Sequence, residues 1–143
     1  MHRVRVSAGD QADLVVAADG VRSTIRSLLF DAPEPVRAGY VAWRALVPRS
    51  ELSARAMQML GNTFAFEQAP GEQIVGYPVR GDDGIVYLNV VWYRDRPGAE
   101  LDDLLTDASG RTYPDGIAPS LIRPECIAQA RTDARRMLNP IWA

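Results

Sequence analysis

ADLVVAADGVRSTIR, residues Ala12 to Arg26, is the stretch on which the reading turns. Its first part, Ala12 to Ala18, is an apolar run of the kind found in a strand buried on both faces. Asp19-Gly20 breaks that run. Ser23 then suits the cap of a short helix reaching Leu29, with Ile25, Leu28 and Leu29 on one side. A strand that turns sharply into a helix leaves two readings of Asp19-Gly20 open. One is an ordinary turn, since Gly tolerates positive φ and Asp bonds local backbone. The other is a nucleotide contact: N–H groups at a helix start attract phosphate oxygens, Gly lets a ligand come close, and Asp19 can accept from a sugar or ribitol hydroxyl. Two further pairs, Asp83-Gly84 and Asp115-Gly116, lack this context and read as turns.

Upstream, His2 to Ser7 alternates Arg and Val as a half-buried strand does, and Ala8 to Gln11 is a turn. Downstream, Pro33 and Pro35 mark a junction. Beyond it the pattern changes. Gly39 to Val47 (GYVAWRALV) is a strand rich in aromatic and β-branched residues, and Ser50 caps a helix reaching about Leu60. Strands follow at Thr63 to Gln68, Gln73 to Val79 and Ile85 to Tyr93, the last two joined by a Gly81-Asp82-Asp83-Gly84 hairpin. Glu100 to Thr106 reads as a short helix. Pro124 opens a last one to Leu138, with Ile127, Ala130, Ala134 and Leu138 at helical spacing. The expected fold class is α+β: an antiparallel sheet with flanking helices, preceded by a strand-turn-helix piece of an α/β domain. The expected division is 1–33 and 34–143. The first part is too small to bury its own strand, and the last helix is followed by no closing element. The pattern therefore predicts an internal piece of a longer protein.

Composition excludes several chemistries. The chain has 143 residues and a formal net charge of −2. That balance argues against a nucleic-acid or anionic-membrane surface. All 16 basic residues are Arg, so neither a Lys Schiff base nor a phosphate-loop Lys is present. The single Cys, Cys126, forms no intrachain disulfide, which suits a reducing cytoplasm. The single His, His2, stands beside Met1 and is a poor basis for a triad or a metal site. Asp82-Asp83 and Asp102-Asp103 have no third ligand at useful spacing, so no metal is expected. No apolar run approaches a membrane span. Chemistry, if present, falls to a cofactor.

The apolar strand, Asp19-Gly20, Ser23 and Arg26 together resemble the Asp-Gly motif of the FAD-dependent aromatic hydroxylases. In that family the motif lies beside the flavin pyrophosphate and near the approach of the reduced nicotinamide. The resemblance assigns Asp19, Gly20, Ser23 and Arg26 to cofactor binding. Arg22, at a variable position, is a fork donor able to pair with phosphate. The likeness continues through GYVAWRALVP (Gly39 to Pro48), GYPVRG (Gly76 to Gly81), VVWYR (Val90 to Arg94), LLTDASGR (Leu104 to Arg111) and the segment from Ile122 to Ile127. These segments are similar to the 2,6-dihydroxypyridine 3-monooxygenase branch. Two other motifs of the family are absent from this sequence: a Gly-x-Gly-x-x-Gly fingerprint and a later Gly-Asp motif of the kind that, in this family, grips the ribitol.

The resemblance implies part of an FAD- and NADH- or NADPH-dependent monooxygenase that hydroxylates a small aromatic or N-heterocyclic compound. The sheet would roof the substrate pocket, and oligomerisation through that domain is compatible. The substrate-side candidates are Tyr40, Trp43, Arg44, Tyr77, Trp92 and Tyr93. In GYVAWRALV, Tyr40, Ala42 and Arg44 share one face, and Val41, Trp43 and Ala45 the other. For Trp43 and Trp92 the ordinary reading is core packing. For Arg44 and Arg94 it is a solvated or ion-paired surface position. No side chain is assigned as catalytic, since in such enzymes the protein orients the ring and excludes water. Two alternatives stand beside this one: a non-catalytic truncated product, and a flavin-free small-molecule binding module. An epoxidase or oxidase of the same fold is a further variant.

Overall fold

The computed structural model describes residues 14–31 and 33–142. The strand expected at His2 to Ser7, the turn at Ala8 to Gln11, and Ala12 and Asp13 lie outside the described residues. The chain divides into two compact units, Met1–Arg37 and Ala38–Ala143.

In the first unit, residues 14–20 form no strand. Leu14 is 80% exposed and Val16 78%. This corrects the buried strand expected there. An apolar strand covered on both faces needs neighbouring strands and flanking helices, and the described residues of this unit supply only helix α1, Thr24–Leu29. Ser23 caps it as expected, its Oγ accepting from the Arg26 N–H at 3.0 Å. Leu28 and Leu29 remain exposed.

The second unit is built on four antiparallel strands: β1 (Tyr40–Pro48), β2 (Ala65–Ala69), β3 (Glu72–Arg80) and β4 (Val86–Asp95). Their order across the sheet is β1-β4-β3-β2. The tight hairpin between β3 and β4 sits at the expected Gly81 to Gly84. The Gly81 N–H donates to Ile85 O, and Gly84 adopts φ +78°. The strands run one or two residues past their expected ends at Val79 and Tyr93 because pairing continues there, Arg80 with Val86 and Asp95 with Tyr40.

Two helix boundaries differ from expectation. Ser50 does not cap α2. Arg49–Glu51 form a 3₁₀ turn after Pro48, and Ser53 is the cap of α2, Ala54–Leu60, accepting from the Ala56 N–H at 3.1 Å. Helix α3 is Ala99–Leu104 and stops short of Thr106, which pairs with Thr112 in an isolated bridge. The last helix, α4 (Pro124–Met137), opens on Pro124 as expected. Its inward residues include Cys126 and Asp133 as well as the small Ala130 and Ala134. A buried carboxylate inside an apolar stripe is invisible to hydrophobic periodicity.

Helix α4 and the turn after it cover one face of the sheet. Ile74, Trp92 and Leu138 form the buried core there, with Trp43, Val90, Ala130, Ala134 and Trp142 packed against them. Gly76 makes room for Trp142: a Cβ there would stand 2.7 Å from the indole ring. Trp142 Nε1 donates to Glu67 Oε2 at 3.0 Å, and the Asn139 N–H donates to Glu67 Oε1, so β2 is tied to the end of the chain.

Candidate functional site

The Asp19–Arg26 turn is held from within. Both Asp19 carboxylate oxygens are engaged: Oδ1 accepts from the Ser23 hydroxyl and Oδ2 from the Ile25 N–H. Ser23 Oγ in turn accepts from the Arg26 N–H, and the Ser23 N–H donates to Gly20 O. The Ser23 hydroxyl, followed by the Ile25 N–H, holds the Asp19 carboxyl below its ordinary range. The first N–H groups of α1 are therefore taken by residues of the motif itself. Gly20 adopts φ +79°, and nothing lies within 4 Å of where a Cβ would stand, so the outside of the turn is bare backbone. Arg26 spends one donor on Val21 O at 2.7 Å, of the five a guanidinium carries.

In the second unit, strand pairing fixes which side chains share a face. Arg44 stands opposite Val91, Val91 opposite Val75, and Val75 opposite Phe66. The neighbouring rungs on the same face hold Tyr93 with Gln73, and Asn89 with Tyr77. Tyr40 closes one end opposite Asp95. This face forms an open groove of about 730 Å³, lined by Tyr40, Arg44, Phe64, Val91, Tyr77 and Tyr93 among others. Tyr40 and Tyr93 meet edge to face at 5.7 Å, and Phe64 stacks on Tyr77 at 5.3 Å. Four of the six substrate-side candidates thus come together: Tyr40, Arg44, Tyr77 and Tyr93.

The other two do not. Trp43 and Trp92 pair with each other across β1 and β4 on the opposite face, under α4. Their indole N–H groups are buried with no acceptor among the described residues. Period-two alternation separates Trp43 from Arg44, but only the register identifies which face the helix covers.

Arg94 is also on the covered face, and it is not a surface group. Its side chain is 4% exposed. Nε donates to both oxygens of Glu72 at 3.0 and 3.1 Å, and Nη2 to Asp133 Oδ2 at 2.8 Å. The guanidinium lies 4.1 Å over the Trp92 ring. Gln129 Nε2 donates to the other Asp133 oxygen at 2.8 Å. Burial works against the Asp133 charge, but the hydrogen bonds from Arg94 and Gln129 and the charges of Arg94 and Arg136 hold its carboxyl below the ordinary value. A hollow of about 440 Å³ lies beside this network against α3 and α4. The charges around Arg94 there are already matched to one another. Sequence reasoning passed over this cluster because Glu72, Arg94 and Asp133 are far apart in the chain and each reads as a surface charge.

Among the described residues no group of His, Cys, Asp and Glu side chains is placed to hold a metal ion, and no helix is long and apolar enough to cross a membrane.

A family model described as FAD binding domain-like matches residues 37–143. The chain is 27% identical to the 2,6-dihydroxypyridine 3-monooxygenase of Paenarthrobacter nicotinovorans, over 96% of this chain and 36% of that protein. It is 38% identical to the 3-amino-4-hydroxybenzoate 2-monooxygenase of Streptomyces cremeus, over 65% of this chain and 23% of that one. Among solved structures, it superposes on the 2,6-dihydroxypyridine-3-hydroxylase from Arthrobacter nicotinovorans with a TM-score of 0.76 and 28% identity, covering 97% of this chain and 36% of the other. The chain thus spans about a third of the length of that 2,6-dihydroxypyridine 3-monooxygenase.

Proposed function

This chain belongs to the FAD binding domain-like family, and from that premise we propose that it is a portion of an FAD- and NAD(P)H-dependent monooxygenase acting on a small aromatic or N-heterocyclic compound. The supporting observation is the open sheet face, where Tyr40, Arg44, Tyr77 and Tyr93 gather around an apolar floor of Val75 and Val91. A flat, electron-rich ring fits such a surface. Tyrosine and phenylalanine offer it edge and face contacts, and a few polar groups set its orientation. In this reading, 34–143 is the substrate-binding domain and 1–33 a piece of the FAD-binding domain.

The Asp19–Arg26 turn fits an anionic cofactor in part. The bare Gly20 backbone permits close approach, and Arg22 and Arg26 put two cations in the turn. Asp19 and Ser23 would act as braces that keep the turn in shape, since their oxygens serve α1. Bound FAD would supply the oxygen-activating chemistry. The residues of this chain would bind and orient the ring and keep water from it. Trp43 and Trp92 leave the substrate-side set in this proposal and serve as core.

Adding 2,6-dihydroxypyridine to the isotope-labelled chain tests the reading. The amide signals that shift are expected on β1, β3 and β4 around Arg44, Tyr77 and Tyr93. Shifts confined to α3 and α4 would place the ligand behind the sheet and sink the proposal.

A further inference from the structure

Three arginines lie on the strands of the sheet. Arg94 is bound to Glu72 and Asp133, and Arg80 donates to Gly84 O at 3.0 Å. Arg44 has no hydrogen-bond or ion-pair partner among the described residues. It projects from β1 onto the open face, beside the buried Val91 and among aromatic rings. A guanidinium left without a carboxylate beside apolar surface is a strong anion donor, because its planar fork matches two oxygens or one oxygen with a ring nitrogen.

The geometry of the face sets what that anion belongs to. Arg44 on β1 is level with Val75 on β3, two strand spacings or about 10 Å away, and Tyr77 stands one rung further along, a span that one substituted ring fills. Two acidic residues line the groove at its far end: Asp95, which pairs with Tyr40 across the strands, and Glu72, whose carboxylate is already bound to Arg94. Tyr40 and Arg44 are four residue steps apart along β1, so the two ends lie roughly 13 Å apart at the rise of an extended strand. The groove is therefore cationic at one end, acidic at the other, and aromatic between.

We propose that Arg44 is a specificity-determining residue that selects aromatic ligands bearing an acidic oxygen and pairs with that oxygen in its ionised form. The proposal rests on the open face being the ligand face.

The test uses 4-nitrophenol, whose colour reports its ionisation, and nitrobenzene as its neutral counterpart. Both are titrated into the 143-residue chain at a pH near the nitrophenol midpoint. The wild-type chain is expected to bind nitrophenol and to raise its phenolate absorbance. Arg44→Gln should weaken nitrophenol binding about tenfold or more and abolish the rise, as expected for a lost charge-assisted hydrogen bond. Nitrobenzene should bind both forms alike. Arg44→Lys should recover part of the absorbance rise, because it keeps the charge and loses the fork. Arg44 supports no other side chain, so circular dichroism should be unchanged in both variants. Equal nitrophenol affinity and equal absorbance in wild type and Arg44→Gln would overturn the proposal while leaving the aromatic groove as ligand face. Amide shifts from both probes that avoid β1, β3 and β4 would overturn the ligand face and the proposal together.

Discussion

Arg94 is the residue whose loss the fold should feel most. It neutralises Glu72 and Asp133 where both are almost wholly shielded from water. Replacing it by Met would leave Glu72 buried without a cation and Asp133 with only the exposed Arg136, 3.6 Å away. The expected cost is about 3–5 kcal/mol, the range for breaking a buried ion pair from one side, measurable as a fall in the urea midpoint. Because the Asp133 carboxyl is held below its ordinary value in the folded chain, its stabilisation is complete above that value and is lost as pH falls through the depressed one. Asp107 shows the same sign on an exposed loop. The Ser109 hydroxyl, opposed by desolvation and helped by the Arg111 N–H, the Tyr113 hydroxyl and the Ser109 N–H, lowers its carboxyl to about 2. Between its ordinary value of 3.8 and about 2 the loop from Asp107 to Tyr113 should loosen. The protection factors of the Ser109 and Arg111 amides, which remove the intrinsic pH dependence of exchange, should fall over that window and hold steady above it. Single residues were only half legible in advance. Alternation put Arg44 and Tyr40 together, but it had no means of finding that Arg94 is buried, since its partners come from β3 and α4.

Strands and helices were far easier to read than their contacts. The β3–β4 hairpin announces itself through Gly81-Asp82-Asp83-Gly84 between two apolar runs, and α4 through Pro124 and its spacing. Boundaries were less secure where two candidates of one chemistry compete. Ser50 and Ser53 can each accept from a backbone N–H, and only the 3₁₀ turn after Pro48 decides for Ser53. Ser53→Ala should therefore cost about 1 kcal/mol, as lost helix caps do, while Ser50→Ala should leave the unfolding midpoint where it is. The β3 strand makes a separate test. Gly76→Ala would drive a methyl group to 2.7 Å from the Trp142 ring. The ring must move and release Glu67, with a destabilisation of about 1–3 kcal/mol typical of overpacking. A red shift of tryptophan emission at unchanged sheet content would report it.

For the whole molecule, the informative fact is the share of its relatives that it spans, 36% of the 2,6-dihydroxypyridine 3-monooxygenase. The sequence holds the Asp-Gly turn and lacks a Gly-x-Gly-x-x-Gly run. That turn has already committed its first helical N–H groups to Asp19 and Ser23. The chain by itself is therefore expected to bind FAD weakly or not at all. Tight binding with a perturbed flavin spectrum on titration would contradict that. The α+β class and the sheet with its flanking helices were readable because alternation, turn residues and helical spacing are local signals. The strand expected from Ala12 to Ala18 is not formed over its described residues, 14–18, because a strand is a property of its neighbours. The pairing order failed to show for the same reason.

That order bears on how the chain is made. β1 lies at the sheet edge against β4, and Arg44 meets Val91, which is synthesised 47 residues after it (91 − 44). At roughly 5–20 residues per second, β1 waits about 2–10 s on the ribosome before its partner emerges. Throughout that interval the segment YVAWRALVP is an unpaired, sticky strand, prone to join the same segment on another nascent chain. Its only charge is Arg44. The side chain assigned above to ligand selection is also the gatekeeper of the strand during its wait, and Arg44→Leu should show itself first as inclusion bodies in the expressing cell.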